Sequence, residues 1–331
     1  MTFKFIIPRR RALIALAFLA PFSLSAATPK PVRLLTVGNS FSRNATRFLP
    51  DLAKAGGREL VHKAIVVGGA SLELHAGKAR LHESGAENKE GLYSDGSSLK
   101  QALAAQPWDF VTIQQASIKS HDLGTYQPHA SQLHGLIKKY ASTAKLLVHQ
   151  TWAYRIDDPR FTKPSDKPGE PATQAAMYEG LAHAYRSIAK QLGAGLIPVG
   201  DAFYLADTDP RWGFKPDIAF ESKQAKPPAL PDQTHSLHVG WRWMKQKDGS
   251  MALRMDGHHA NMAGEYLGAC VWYEVIFGSS VAGNAFVPPG MEPDFARFLQ
   301  ETAHRAVSDG KVLEARGLPA TPTVKFKATA Q

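Results

Sequence analysis

The strongest constraint on this chain is an alternation. Short, mainly apolar runs rich in Val, Ile and Leu recur at 32–37, 60–67, 110–114, 145–149 and 196–199, separated by stretches with helical periodicity. Runs that short, without polar alternation, suit strands buried on both faces, and strands interleaved with helices predict a parallel sheet. Helices are expected at 50–55, 101–105, 130–140 and 175–192, with Gly56-Gly57 and Gly193 as stops. The expected fold is therefore α/β: a three-layer sandwich around a central, mostly parallel five-stranded sheet of the doubly wound kind.

Two segments break the rhythm. Residues 155–173 and 207–237 are rich in Pro, Asp and Lys, lack periodicity, and are read as long loops. Runs at 241–246 and 251–255 flank Lys247-Asp248-Gly249-Ser250, whose Asp-Gly pair predicts a small hairpin. An apolar helix is expected at 261–277 and an amphipathic one at 294–308.

The N-terminus is of another character. Lys4 and Arg9-Arg10-Arg11 precede an apolar run at 12–24, closed by Ser25-Ala26-Ala27. Basic, apolar and small-residue regions in that order form a secretory signal. The apolar run is about half of what spans a bilayer, so cleavage after Ala27 is expected to leave no stable membrane anchor. The organisation is then a signal peptide at 1–27, one domain at 28–316 and a flexible tail at 317–331, with periplasmic or secreted localisation. The formal charge of +10 loses four units with the signal and falls to +6. The remaining Lys and Arg are scattered, with Lys138-Lys139 the only adjacent pair, and no nucleic-acid-binding motif is present, so nucleic acid is not an expected partner. A single cysteine, Cys270, in the apolar context Ala269-Cys270-Val271-Trp272, excludes a disulfide framework and multi-cysteine zinc sites.

Two segments could carry chemistry. Gly38-Asn39-Ser40-Phe41-Ser42 follows the first strand, at the carboxyl edge where open parallel sheets bind ligands. Its serines are candidates either for a nucleophile or for a helix cap. Met255-Asp256-Gly257-His258-His259 precedes the last apolar helix. An aspartate and a histidine three residues apart at a helix entrance can point the same way, the carboxylate holding one ring nitrogen while the other takes a proton. The competing readings are a capping aspartate with solvated histidines, or a metal cluster of His235, His238, His258 and His259.

Together these segments resemble the SGNH (GDSL-type) hydrolase superfamily, in the branch with Gly-Asn-Ser in place of Gly-Asp-Ser. Val37-Gly38-Asn39-Ser40-Phe41-Ser42 is similar to the nucleophile block and Asp256-Gly257-His258-His259 to the closing Asp-x-x-His block. The resemblance implies Ser40 as nucleophile, His259 as base and Asp256 as its orienter. Val67-Gly68-Gly69-Ala70-Ser71 stands where the family's second block supplies a glycine N–H, implying Gly69. The third block departs from the pattern: Gln114-Gln115 replaces Gly-x-Asn-Asp. A glutamine amide can donate the same hydrogen bond, as in the related carbohydrate-esterase branch, so Gln114 and Gln115 are both oxyanion-hole candidates. No Gly-x-Ser-x-Gly elbow is present, so an ordinary α/β-hydrolase is not expected.

Trp152 and Tyr154, after the fourth strand, are candidates for stacking on a sugar ring, and Asn39 and His258 for further substrate contacts. His75 lies one helical turn from Ser71, where it either faces the site or lies half-buried at the surface. The expected function is an exported serine esterase acting on acyl esters, O-acetyl among them, of a carbohydrate or small molecule, with no metal and no cofactor. A non-catalytic glycan-binding protein on the same scaffold is the alternative, and a metal-dependent hydrolase the next.

Overall fold

In the computed structural model, residues 1–2, 30–85, 88–162 and 171–315 are described; nearly all of the expected signal peptide and the expected tail at 317–331 lie outside them. Strands β1 (Val32–Gly38), β2 (Leu60–Val66), β3 (Phe110–Ile113), β4 (Lys145–His149) and β5 (Gly195–Ile197) form one sheet in the order β2-β1-β3-β4-β5. Every adjacent pair is parallel. The strands sit where the apolar runs do. Only β5 is displaced, ending before Pro198, which has no N–H to continue the ladder.

Helices α1 (Ser40–Ala45), α2 (Leu49–Ala55), α3 (Leu72–Ser84), α4 (Leu99–Ala104), α5 (His129–Tyr140), α6 (Pro159–Thr162), α7 (Gln174–Leu192), α8 (Val199–Asp207), α9 (Met262–Phe277) and α10 (Pro293–Ala315) connect and flank these strands. α9 is apolar on every side and buried along nearly its whole length, as a helix packed on α1, α2, α8 and α10 must be. Gly268 sets its distance from α1: a Cβ there would come within 2.9 Å of the Ala45 Cα. The chain from Pro31 onward forms one unit. None of the described helices is long and apolar enough to cross a membrane.

The hairpin is longer than its sequence pattern. β6 (His238–Lys245) pairs antiparallel with β7 (Met251–Ala260), so the Asp256–His259 segment lies on a strand rather than in a turn at a helix entrance. Near its base the ladder is irregular. His238 faces Ala260 and Gly240 faces Asp256, so two steps on β6 match four on β7, a bulge of two extra residues.

Candidate active site

The bulge decides which way the closing segment points. In a regular strand, residues three apart face opposite sides. The two extra residues of β7 fold Asp256 back, so its Oδ1 accepts the His259 backbone N–H at 3.1 Å and its Oδ2 faces His259 Nδ1 at 3.1 Å. The segment after β4 braces this shape. The Arg155 N–H donates to the Gly257 carbonyl at 2.7 Å, and Trp152 Nε1 donates to the His258 carbonyl at 2.9 Å.

Ser40 arrives from the other side. Asn39 follows β1 and caps α1, its Oδ1 accepting the Phe41 N–H at 3.0 Å, which puts Ser40 at the first helical position. His259 Nε2 lies 2.9 Å from Ser40 Oγ. The structure thus brings Ser40, His259 and Asp256 into one hydrogen-bonded line, with the carboxylate largely buried and the imidazole about one-third exposed. Burial alone would raise the Asp256 pKa. The hydrogen bonds from the His259 ring and backbone, and the adjacent imidazoles, outweigh it and hold the carboxyl well below its usual range. It is an anion wherever His259 needs one.

His258 borders the site. Its Nδ1 lies between Asp256 Oδ1 at 3.1 Å and Arg160 Nη2 at 3.2 Å. Burial first, then His259 and Arg160, keep its pKa below the ordinary imidazole value although Asp256 pulls the other way.

Behind Ser40 runs a chain of buried side chains that joins the carboxyl ends of four strands. Burial pushes the His149 pKa down to about 3, so the ring is neutral and its Nδ1–H donates to Gln114 Oε1 at 3.0 Å. Gln114 Nε2 donates to Asn39 Oδ1 at 2.6 Å, and Asn39 Nδ2 donates to the Ala70 carbonyl at 2.9 Å. The links step from β4 to β3, to β1, and to the turn after β2. His75 adds another tie. It is 1 % exposed, and its Nε2 donates to the Gly38 carbonyl at 3.1 Å while Tyr93 Oη lies 2.9 Å from Nδ1. Gly38 has to be a glycine, because a Cβ there would come within 2.7 Å of Gln114 Oε1.

Several sequence candidates are placed elsewhere. Gln115 is occupied on both sides of its amide: Oε1 accepts the Leu72 and Ala116 N–H groups, and Nε2 donates to the Thr125 carbonyl at 2.9 Å. It anchors loops and offers nothing to an oxyanion. Asn39, 1 % exposed, is a cap and cross-link rather than a substrate contact. Trp152 is fully buried, stacked on Phe203 with ring centroids 4.4 Å apart. Tyr154 is also buried, its Oη 3.0 Å from Ser117 Oγ and its ring under the Arg160 guanidinium. Neither presents a face to a sugar. His235 packs between Trp212 and Phe295, and His238 is buried with Nε2 on the Ala153 carbonyl, so neither joins the other two histidines. Among the described residues, the ligand atoms that converge within 4.8 Å are those of Asp256, His258 and His259. Gly69 has a φ of +67°, which favours glycine, and lies exposed on the turn after β2. Sequence reasoning passed over His149 as a core residue. The one signal available was a histidine ending an otherwise apolar strand.

A parallel five-stranded sheet, with a serine after the first strand and an Asp–His pair before the last long helix of the sheet's cover, defines an SGNH-like α/β fold. The chain belongs to the DUF4886 family, a domain of unknown function whose match covers residues 33–209. A DUF4886 protein from Bacteroides uniformis superposes with a TM-score of 0.60 at 24% identity, over 84% of this chain and 95% of that one. A possible lipase from Chitinophaga pinensis gives 0.43 at 12% identity, over 75% of this chain and 98% of that one. Phospholipase A1 from Streptomyces albidoflavus gives 0.38 at 12% identity, with the same coverage. No curated protein sequence matches the chain.

Proposed function

We propose that this protein is an exported serine esterase that removes acyl groups, O-acetyl among them, from a carbohydrate or small-molecule ester. The observation that carries the reading is the line from Ser40 Oγ to His259 Nε2 (2.9 Å) and from Nδ1 to the Asp256 carboxylate (3.1 Å). Export rests on the basic, apolar and small-residue order of residues 1–27.

The chemistry follows from the parts. His259 takes the Ser40 proton on Nε2 as Oγ attacks the ester carbonyl. Asp256 holds Nδ1–H, which fixes the tautomer and stabilises the imidazolium. Collapse of the tetrahedral adduct expels the alcohol, which leaves with that proton. Water, deprotonated by His259, then attacks the acyl-serine, releasing the carboxylic acid and restoring Ser40. The developing oxyanion needs donors that the fold leaves free. The Ser40 and Gly69 backbone N–H groups have no partner among the described residues and are the donors this reading uses. Gln114 can contribute its second amide hydrogen, the first being held by Asn39.

The test uses 4-nitrophenyl acetate and a fluorophosphonate probe. The native protein hydrolyses the ester and is labelled on Ser40, and Ser40→Ala loses both while keeping the native thermal unfolding profile. A Ser40→Ala protein that still hydrolyses the ester at the native rate removes the proposal.

A further inference from the structure

Resting on this esterase reading, we infer that His258 contacts the substrate: Arg160 fixes its tautomer, and the Nε2–H so presented donates to an acceptor oxygen in the alcohol half of the ester. A second hydrogen-bonded line runs beside the triad. The buried Asp158 accepts Arg160 Nε on Oδ1 and Nη2 on Oδ2, both at 2.9 Å. The guanidinium lies over the Tyr154 ring, 3.7 Å from its centroid, and Nη2 also donates to His258 Nδ1 at 3.2 Å. Gly257 lets the two lines come together, since a Cβ there would lie 2.4 Å from Asp158 Oδ2.

The donor decides the tautomer. A neutral imidazole has one N–H and one lone pair, and a guanidinium can only donate, so Nδ1 is the acceptor and Nε2 carries the hydrogen. Asp256 Oδ1 also lies 3.1 Å from Nδ1, but as a charge contact; the hydrogen bonds that hold that carboxylate come from the His259 ring and backbone. Burial, His259 and Arg160 lower the His258 pKa against the pull of Asp256 and Asp158, so the ring is neutral near pH 7. Its Nε2 has no hydrogen-bond partner among the described residues and is not buried, and the side chain is about one-third exposed. The position beside the reacting atoms follows from His259. The two rings are 4.2 Å apart between centroids, and the leaving oxygen has to come within hydrogen-bond reach of His259 Nε2 to take the proton back. The alcohol half therefore leaves on the side of the two imidazoles. A donor there favours an alcohol with a hydroxyl, ether or carbonyl oxygen close to the ester and offers a hydrocarbon chain nothing.

The experiment compares 2-methoxyethyl acetate with butyl acetate, which match in length and differ by one ether oxygen that can only accept. The native protein is expected to favour the ether ester about fivefold in kcat/KM. His258→Leu should bring that ratio to about one, and His258→Gln, whose amide can still donate, should recover most of it. Arg160→Met tests the positioning. Without the guanidinium, Nδ1–H can turn to Asp256 Oδ1 and leave Nε2 an acceptor. That variant should lose the preference for 2-methoxyethyl over butyl acetate yet show one for 2-hydroxyethyl over propyl acetate, whose added hydroxyl can donate. The tautomer is read in the native protein, without any variant's activity, from long-range 1H–15N spectra after 15N-histidine labelling, with His258 assigned by its absence in His258→Leu. Nδ1 should be bare and Nε2 protonated. A protonated Nδ1, or a preference that His258→Leu leaves unchanged, overturns the inference. So does activity on 4-nitrophenyl acetate with no preference for the ether ester, or with no alkyl acetate hydrolysed; in each of these cases the esterase reading stands. No activity on any ester removes the esterase reading, and the substrate role of His258 with it.

Discussion

Gln114 offers a sharp test of how the site is built. The sequence resemblance implies an oxyanion donor at this position, yet its amide is engaged in bracing, with the carbonyl on His149 Nδ1 and one N–H on Asn39 Oδ1. Consider Gln114→Met, which keeps the volume and removes both functions. Among the described residues His149 Nδ1–H then has no partner, at a position with no exposure, and its Nε2 already lacks one. Asn39 Oδ1 keeps the Phe41 N–H. A stranded buried donor costs about 1–3 kcal/mol and the second lost bond about 1 kcal/mol, so the variant should lose about 2–4 kcal/mol. For a domain of this size that lowers Tm by roughly 3–7 °C. Differential scanning calorimetry of the native protein and the variant reads the shift directly, with ester hydrolysis measured alongside. A pure oxyanion donor predicts a different pair of numbers: Tm unchanged within about a degree and kcat down on the order of 10²–10³. That second result would refute the brace.

Two further perturbations follow from buried charge. Arg155, 1 % exposed, holds Asp157 with both arms of its fork (2.6 and 2.9 Å), reaches Gln233 Oε1 at 2.8 Å and lies over the Phe214 ring, tying the segment after β4 to the 207–237 loop. Arg155→Lys keeps the charge and loses the fork, so it should cost about 3 kcal/mol and speed trypsin cleavage within 207–237; a native digestion rate would contradict that role. Burial depresses the pKa of His75 to about 4 and those of His149 and His238 to about 3. Their stabilisation is complete above the unfolded value near 6.5 and is lost as pH falls through the folded values. Asp207, raised by burial to about 7, acts in the opposite sense, its contribution fading as pH rises toward 7. With His62, also depressed by burial to about 4, the balance of these groups near pH 5 is about three protons, or about 4 kcal/mol of stability lost per unit of acidification, which urea midpoints at pH 6.5, 5.5 and 4.5 would register; a flat series would contradict it.

The sheet was legible because strands of a parallel sheet read as short runs rich in Val, Ile and Leu, and four of the five begin and end within a residue of such runs. α9 was legible because it is apolar throughout. α1 was not: Ser-Phe-Ser-Arg-Asn-Ala carries too little periodicity to mark a six-residue helix, which forms because Asn39 caps it and α9 packs on it. Trp152 and Tyr154 were legible as aromatic residues at the correct edge, but their burial depends on Phe203 and Arg160, which lie elsewhere in the chain. The bulge in β7 left no local mark, because it arises where Arg155 and Trp152 hold the Gly257 and His258 carbonyls.

By itself the amino-acid sequence determined the layered α/β architecture, the order of the strands' apolar runs, and which serine, aspartate and histidine lie at segment ends. These are properties of local pattern, and hydrophobic periodicity is a local quantity. Only the tertiary structure decided that Asp256 and His259 face the same way, that Gln114 braces Asn39 and that Gln115 is committed to loops. Each of these is a contact between residues distant in the chain, and the direction and satisfaction of a side chain are set by the neighbours that folding brings to it.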